Sequence, residues 1–376
     1  MSFLGKTILP RMVWYDGKVH ENLPITISCD GVITEIGGTI PYDVTRLPDE
    51  YCITTFREML AAGITCVGEF HYVHHGSDRF DLDEMVLQAA EEAGIRITLI
   101  QTFYEAAGFD RPALHPVQKR FVSSYEEFVE NLKKLMKDER KMSSIAVAGM
   151  FILTHSVRAV SFENIRKLYE FAMQKNLAFH IHLEEQPKEI EDCIRFFGQK
   201  TTPSDWLLQN LNINKRFSAV HATYTSRENV KKMVQNGANF VICPCTEGYL
   251  GDGIPHLVDN QSISFGTDCN NRIGFLEEMR WACYSQQMRH NSRCVAGLSA
   301  NRLLHCATAG GARSLALDNI VGSFEIGKQM DFVSFNLCSP LLNGLSSDTI
   351  IDGIVFSCDN REIKRVVVSG ITRFLQ

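Results

Sequence analysis

A parallel α/β barrel of the eightfold strand–helix type, short of its first strand, is the fold this sequence predicts. Three observations predict it: seven apolar runs of strand length, amphipathic stretches between them, and polar residues standing just past several of the runs. Continuous apolar strands alternating with helices indicate a parallel sheet buried on both faces.

The strands are expected at 64–70, 95–101, 145–153, 178–182, 217–222, 240–243 and 263–266. Helical periodicity falls at 80–93, 125–136, 163–174 and 228–235, with a further helix around 53–62. A closed barrel of this type needs eight strands, and the missing one would precede the helix around 53–62. Both chain ends read as short strands, at 7–13, 23–28 and 32–36 and again at 331–335, 351–356 and 365–368. Asp16-Gly17 and Asp30-Gly31 supply tight turns between the first set. The expected division is therefore a small β-sandwich domain from residues 1–40 and 322–376, beside a barrel at 41–321.

Composition excludes several classes. The 376 residues are 45% apolar and 22% charged, with a net charge of −6, so no basic field marks a nucleic-acid or membrane surface. No run of about 20 apolar residues suggests a membrane span. Lys6, Arg11, Asp16 and Lys18 argue against a signal peptide. The 12 cysteines are scattered through apolar segments, and Cys243-Pro-Cys245 lacks the two-residue spacer of zinc clusters; reduced thiols in the cytoplasm are expected.

The segment Ala178-Phe-His-Ile-His-Leu-Glu-Glu-Gln186 points most directly to chemistry. Residues two apart in a strand share a face, so His180 and His182 point the same way, with His180 one layer deeper and structural. Barrel enzymes place their chemistry at the C-terminal ends of strands. His155, His182, His221 and Asp268 each follow an apolar run and would converge there. One imidazole alone is ordinary in a core; four polar residues at the same end are not. Glu185, three residues after His182, could reach a group beside a metal and shuttle a proton, or be an exposed loop acid. Arg158 suits a carboxylate-bearing ligand, or a loop ion pair. Tyr104 could add a hydroxyl to that job, or be a packed aromatic. His71-Tyr-Val-His74-His75 reads equally as an imidazole cluster or a surface loop. The glycine-rich stretch 247–255 lacks the lysine of a phosphate-binding loop and reads as a flexible rim.

Together these residues resemble the amidohydrolase superfamily, and within it the formimidoylglutamate deiminases of histidine degradation. Glu69-Phe-His-Tyr-Val-His-His75, Thr154-His-Ser-Val-Arg-Ala-Val160 and His180-Ile-His-Leu-Glu-Glu-Gln-Pro-Lys-Glu189 carry the closer match, over about residues 47–335. The resemblance implies a (β/α)8-type TIM barrel in which His182 and Asp268 ligate one zinc ion. Glu185 would shuttle protons, His221 would orient the attacking water, and Tyr104, His155 and Arg158 would hold the glutamate portion of the substrate. The reaction implied is hydrolysis of N-formimidoyl-L-glutamate to N-formyl-L-glutamate and ammonia. Strand 145–153 has no lysine, so a carbamylated bridging ligand is unavailable and a mononuclear site is expected.

One departure is large. The family's first barrel strand carries a His-x-His that supplies two metal ligands, whereas here Gly37-Gly-Thr-Ile-Pro41 runs directly into Tyr42. Tyr224 also stands where the family often has a second histidine. A catalytically inactive barrel that binds ligand or a full-length partner subunit is therefore an alternative, and a guanine- or aminotriazine-type deaminase is another. The expected partner is a small acidic substrate, with no nucleic acid or membrane and a homodimer allowed.

Overall fold

The computed structural model describes residues 7–9, 12–15, 18–27, 33–37, 45–46, 48–105, 116–137, 140, 142–150, 160–258, 260–325, 327–346 and 348–376. Six short strands open the chain: β1 (Thr7–Leu9), β2 (Met12–Tyr15), β3 (Lys18–Glu21), β4 (Ile25–Ile27), β5 (Ile33–Ile36) and β6 (Thr45–Arg46). The expected single strand over 7–13 is thus two strands in different sheets. One sheet has the order β5-β4-β1-β6, and β2 pairs with β3 in a hairpin.

The body alternates as expected. Helix α1 (Pro48–Ala61) leads to β7 (Cys66–His71), α2 (Asp81–Ala93), β8 (Arg96–Thr102), α3 (Tyr125–Leu135), β9 (Ser143–Met150) and α4 (Phe162–Gln174). Strand β10 (Phe179–Leu183) precedes α5 (Pro187–Phe197) and α6 (Pro203–Asn210). Then come β11 (Phe217–His221), α7 (Arg227–Gln235), β12 (Asn239–Ile242), α8 (Pro244–Leu250), β13 (Ile263–Phe265) and α9 (Phe275–His290). The seven strands form one parallel sheet in sequence order, β7 through β13. Among the described residues no ladder joins β7 to β13, so the sheet is a curled barrel wall open where the first strand would stand.

Period-two alternation decides which side chains face the lumen. In β9, Val147 joins the strand–helix core with Phe128, Leu132 and Ile165, while Ala146 and Ala148 face inward with Ile100, Phe70 and Leu315. In β10, Phe179, Ile181 and Leu183 pack outward, which sends His180 and His182 to the lumen. Gly68 belongs to the same inner layer: a Cβ there would lie 2.6 Å from Leu315 Cδ2.

After α9 the chain forms α10 (Ala300–His305), a π-turn at Cys306–Gly310, α11 (Gly311–Ser314), β14 (Phe332–Phe335), α12 (Ile350–Ser357), β15 (Ile363–Val368) and β16 (Ile371–Leu375). The last three strands make an antiparallel sheet, β14-β15-β16, and no ladder links it to the N-terminal strands among the described residues. Ile363, Val366 and Val368 pack on Phe56, Met59, Ile95 and Ile97, so this sheet rests on the barrel wall. A buried ion pair fastens it: Arg96 Nη2 lies 3.2 Å from Asp331 Oδ1 and 2.8 Å from Ser369 Oγ.

Two expectations are corrected. The run 351–356, expected as a strand, lies in helix α12, where Ile354, Val355 and Cys358 join Leu303 and Leu342 in one cluster. A short apolar run without clear period fits either state, and burial against neighbouring helices decides it. The glycine-rich rim begins later than expected, because Pro244–Leu250 is a helix with proline in its first turn and Gly251 closing it in left-handed conformation. The ten cysteines whose side chains are described are free thiols.

Candidate metal centre

Three strands deliver one cluster. The side-chain donor atoms of His182, His221 and Asp268 all lie within 4.8 Å of one another. His182 arrives by simple alternation, and its ring meets Phe70 of β7 edge-on at 4.3 Å across the lumen. His221 needs more. Extended backbone would send it outward after Phe217 and Ala219, but left-handed backbone at His221 (φ 63°) and Ala222 (φ 50°) ends the alternation. Its ring then stands 5.2 Å from that of His182. Asp268 sits three residues past β13, also left-handed, at φ 43°. Left-handed conformations cost non-glycine residues of order 1 kcal/mol or more each, and such strain gathers at functional sites.

The neighbouring acids hold this geometry. His221 Nδ1 is 3.3 Å from Glu247 Oε1, which also accepts a 2.9 Å hydrogen bond from the Cys243 amide. With Nδ1 donating to Glu247, Nε2 is turned toward Glu185 Oε1 at 3.8 Å. Burial alone would lower the His221 pKa, but the Glu247 hydrogen bond and the charges of Glu185, Glu247 and Asp268 carry it up to about 9. Burial raises the Glu185 carboxyl above its ordinary range despite the opposing pull of His221. Glu185 is itself clamped: Glu189 in the first turn of α5 accepts from the Glu184 and Glu185 amides, at 2.9 and 3.2 Å. Glu184, left-handed at φ 49°, accepts from the Ser204 amide at 2.9 Å. Gln186 hydrogen-bonds Asp252 of the glycine-rich rim, closing the loop over the strand ends.

The other candidates are placed as follows. Tyr104 stands two residues past β8, buried, its hydroxyl accepting from Gln118 Nε2 at 3.0 Å. His155 and Arg158 lie outside the described residues. His180 donates to the Ser314 carbonyl at 2.9 Å, and burial lowers its pKa to about 4, as suits a structural neutral imidazole. His71, His74 and His75 are buried rather than in a surface loop. They also face away from His182, because Phe70 takes the lumen side of β7. Glu189, Glu247 and Asp252 were not singled out from sequence. The one readable hint was an acid in the first turn of a helix just after a candidate strand end, which fits both Glu189 and Glu247.

Two nitrogens and one carboxylate oxygen are the donors a catalytic zinc takes, with a fourth position left for water. The donor set therefore fits a divalent ion, held by His182 and Asp268 with His221 in reach to complete three. With an ion bound, the arrangement would suit metal-assisted hydrolysis, the buried Glu185 carboxyl being placed to move protons.

An imidazole–carboxylate cluster at the C-terminal rim of a parallel barrel has the place and the donor types of metal-assisted hydrolases. The chain belongs to the amidohydrolase family, whose profile matches residues 49–372. It is 32% identical over 328 residues to formimidoylglutamate deiminase of Pseudomonas aeruginosa, covering 83% of this chain and 70% of that protein. It is 26% identical over 324 residues to a 5-methylthioadenosine/S-adenosylhomocysteine deaminase of Thermodesulfovibrio yellowstonii, covering 84% and 66% of the two chains. The chain thus spans about two thirds of the length of these relatives. An amidohydrolase of Brucella melitensis superposes with a TM-score of 0.75 at 26% identity, over 98% of this chain and 94% of that one. An adenosine deaminase of Xanthomonas campestris with bound zinc shares the fold, at a TM-score of 0.72 and 20% identity, over 99% and 93%.

Proposed function

We propose that this amidohydrolase deiminates N-formimidoyl-L-glutamate, releasing ammonia and N-formyl-L-glutamate. The observation that carries the reading is the convergence of His182, His221 and Asp268 within 4.8 Å, beside Glu185. The 32% identity to the Pseudomonas aeruginosa deiminase favours this substrate over the adenosine-type substrates named for relatives of 24–27% identity.

His182 and Asp268 would hold a zinc-type ion, which when bound acidifies water and polarises the C=N group. Glu185, its carboxyl kept protonated more readily by burial, delivers a proton to the leaving nitrogen. His221, aimed by Glu247, positions the attacking water and stabilises developing negative charge. Tyr104, with His155 and Arg158, would bind the glutamate carboxylates. The test is ammonia release from N-formimidoyl-L-glutamate and from 5′-methylthioadenosine at equal concentration. Release from the first alone supports the reading, and release from the second alone overturns it.

A second reading has its own observation. The first-strand His-x-His is absent from the sequence, and no ladder joins β7 to β13 among the described residues. A barrel with fewer metal donors than its relatives would hold zinc weakly and turn over little. Equilibrium dialysis of the parent and of His182→Ala against zinc separates the two, because a working mouth retains an ion that the variant loses, whereas an inactive one gives no difference between them.

A further inference from the structure

A second imidazole–carboxylate cluster lies on the far side of β7 from the lumen. The donor atoms of His71, His74 and Asp83 lie within 4.8 Å of one another, and all three residues are buried. Asp83 projects from α2, and its Oδ1 is 2.9 Å from both His71 Nε2 and His74 Nδ1. Two of the three remaining polar atoms are engaged from outside. His74 Nε2 donates to the Thr102 carbonyl at 2.9 Å, and Asn131 Nδ2 donates to Asp83 Oδ2 at 2.6 Å. One nitrogen of each imidazole and one carboxylate oxygen are thus turned to a common point. Outer hydrogen bonds of this kind, from a ring N–H to a carbonyl and from an amide to the second carboxylate oxygen, are how proteins orient metal ligands.

We propose that His71, His74 and Asp83 form a second, structural divalent-metal site of the zinc type, separate from the cluster at the barrel mouth. The charges suit it. With Nε2 committed as a donor to Thr102, His74 can face Asp83 through Nδ1 only if a proton or a cation stands between them. A divalent ion does this for both imidazoles at once. Glu69 shares the strand face of His71, two residues earlier, and adds a half-buried carboxyl on the same side of the sheet for charge balance. The aromatic wall of Phe80 and Phe128, 5.6 and 5.9 Å from the His74 ring, keeps the point dry. The geometric demand is small. Tetrahedral zinc at ordinary bond lengths separates its ligand atoms by about 3.3 Å, so each N···O edge of 2.9 Å must open by less than half an ångström. The donors span β7, the loop after it and α2, so a bound ion would tie the open edge strand of the barrel to its helix.

The experiment is zinc content by mass spectrometry after dialysis against limiting free zinc, on the full chain and on His71→Ala, Asp83→Asn and His182→Ala variants. Asp83→Asn keeps the side chain's size and an acceptor for one imidazole, which guards against a variant that merely fails to fold. The proposal expects about two ions in the parent and one in every variant. If the mouth cluster proves empty, the parent and His182→Ala still hold one each while His71→Ala and Asp83→Asn hold none. A parent with one ion, lost in His182→Ala and kept in the other two, overturns the proposal and leaves protons as the link between Asp83 and its imidazoles.

Discussion

Replacing Arg96 with Met should cost about 3–5 kcal/mol of stability, because it strands a buried carboxylate. The side chains of Arg96 and Asp331 are 5% and 6% exposed, so neither charge can fall back on water. The pair is bidentate, with Nε 3.3 Å from Oδ2 and Nη2 3.2 Å from Oδ1. Without the guanidinium, Asp331 Oδ1 keeps only the Ser369 amide at 2.7 Å, and Oδ2 keeps nothing. The loss should therefore fall at the upper rather than the lower end of ion-pair effects. Removing both charges, as Arg96→Met with Asp331→Leu, should restore much of the stability, since no unpaired charge remains. Urea unfolding of the parent, both single variants and the double variant gives the coupling energy. Singles that each cost under about 1 kcal/mol and add in the double would refute this account of the bond between sheet and barrel. Arg96 opens β8, at the end of the barrel opposite His182, so the variant's zinc affinity at the mouth should be unchanged.

Three further outcomes follow from named contacts. Gly68→Ala drives a methyl to 2.6 Å from Leu315 Cδ2 and 3.1 Å from Ile100 Cδ1, so thermal unfolding should show a loss of about 1–3 kcal/mol. Glu247→Gln weakens the group that aims His221 and should lower ammonia release by about 10–100-fold, with the unfolding midpoint little changed. Glu278 is fully buried, and burial outweighs its hydrogen bond from the Cys245 amide, raising its pKa from 4.5 to about 7. A carboxyl raised in the fold binds its proton more tightly there than in the unfolded chain. Stability should accordingly decline as pH rises from about 4.5 through about 7, by up to about 3 kcal/mol, and be flatter in Glu278→Gln. Urea midpoints measured from pH 4.5 to 8 test the sign.

The seven barrel strands were legible because each is an apolar run long enough to cross the wall, bounded by turn residues and followed by a periodic helix. Their observed bounds differ from the expected ones by at most two residues wherever both ends are described. The grouping of His182, His221 and Asp268 was legible for a related reason: parallel strands bring all their C-terminal ends to one rim, whatever the sequence distance. What was not legible depends on partners that no strand period reports. Asp83 reaches His71 from 12 residues away and Glu247 reaches His221 from 26, both by way of helices whose rotation a sequence does not show. The left-handed turn that swings His221 inward is equally hidden, since histidine carries no glycine-like signature for it. Helix α12 was misread because Ile-Ile-Asp-Gly-Ile-Val-Phe is too short and too apolar for either period to stand out.

The most direct test is ammonia release from N-formimidoyl-L-glutamate by the zinc-supplemented chain beside Asp268→Ala, with bound zinc measured in the same samples. Release that rises with bound zinc in the parent and is lost together with the mouth ion in the variant is the expected result. A parent that retains zinc through His182 and Asp268 yet liberates no ammonia would contradict it.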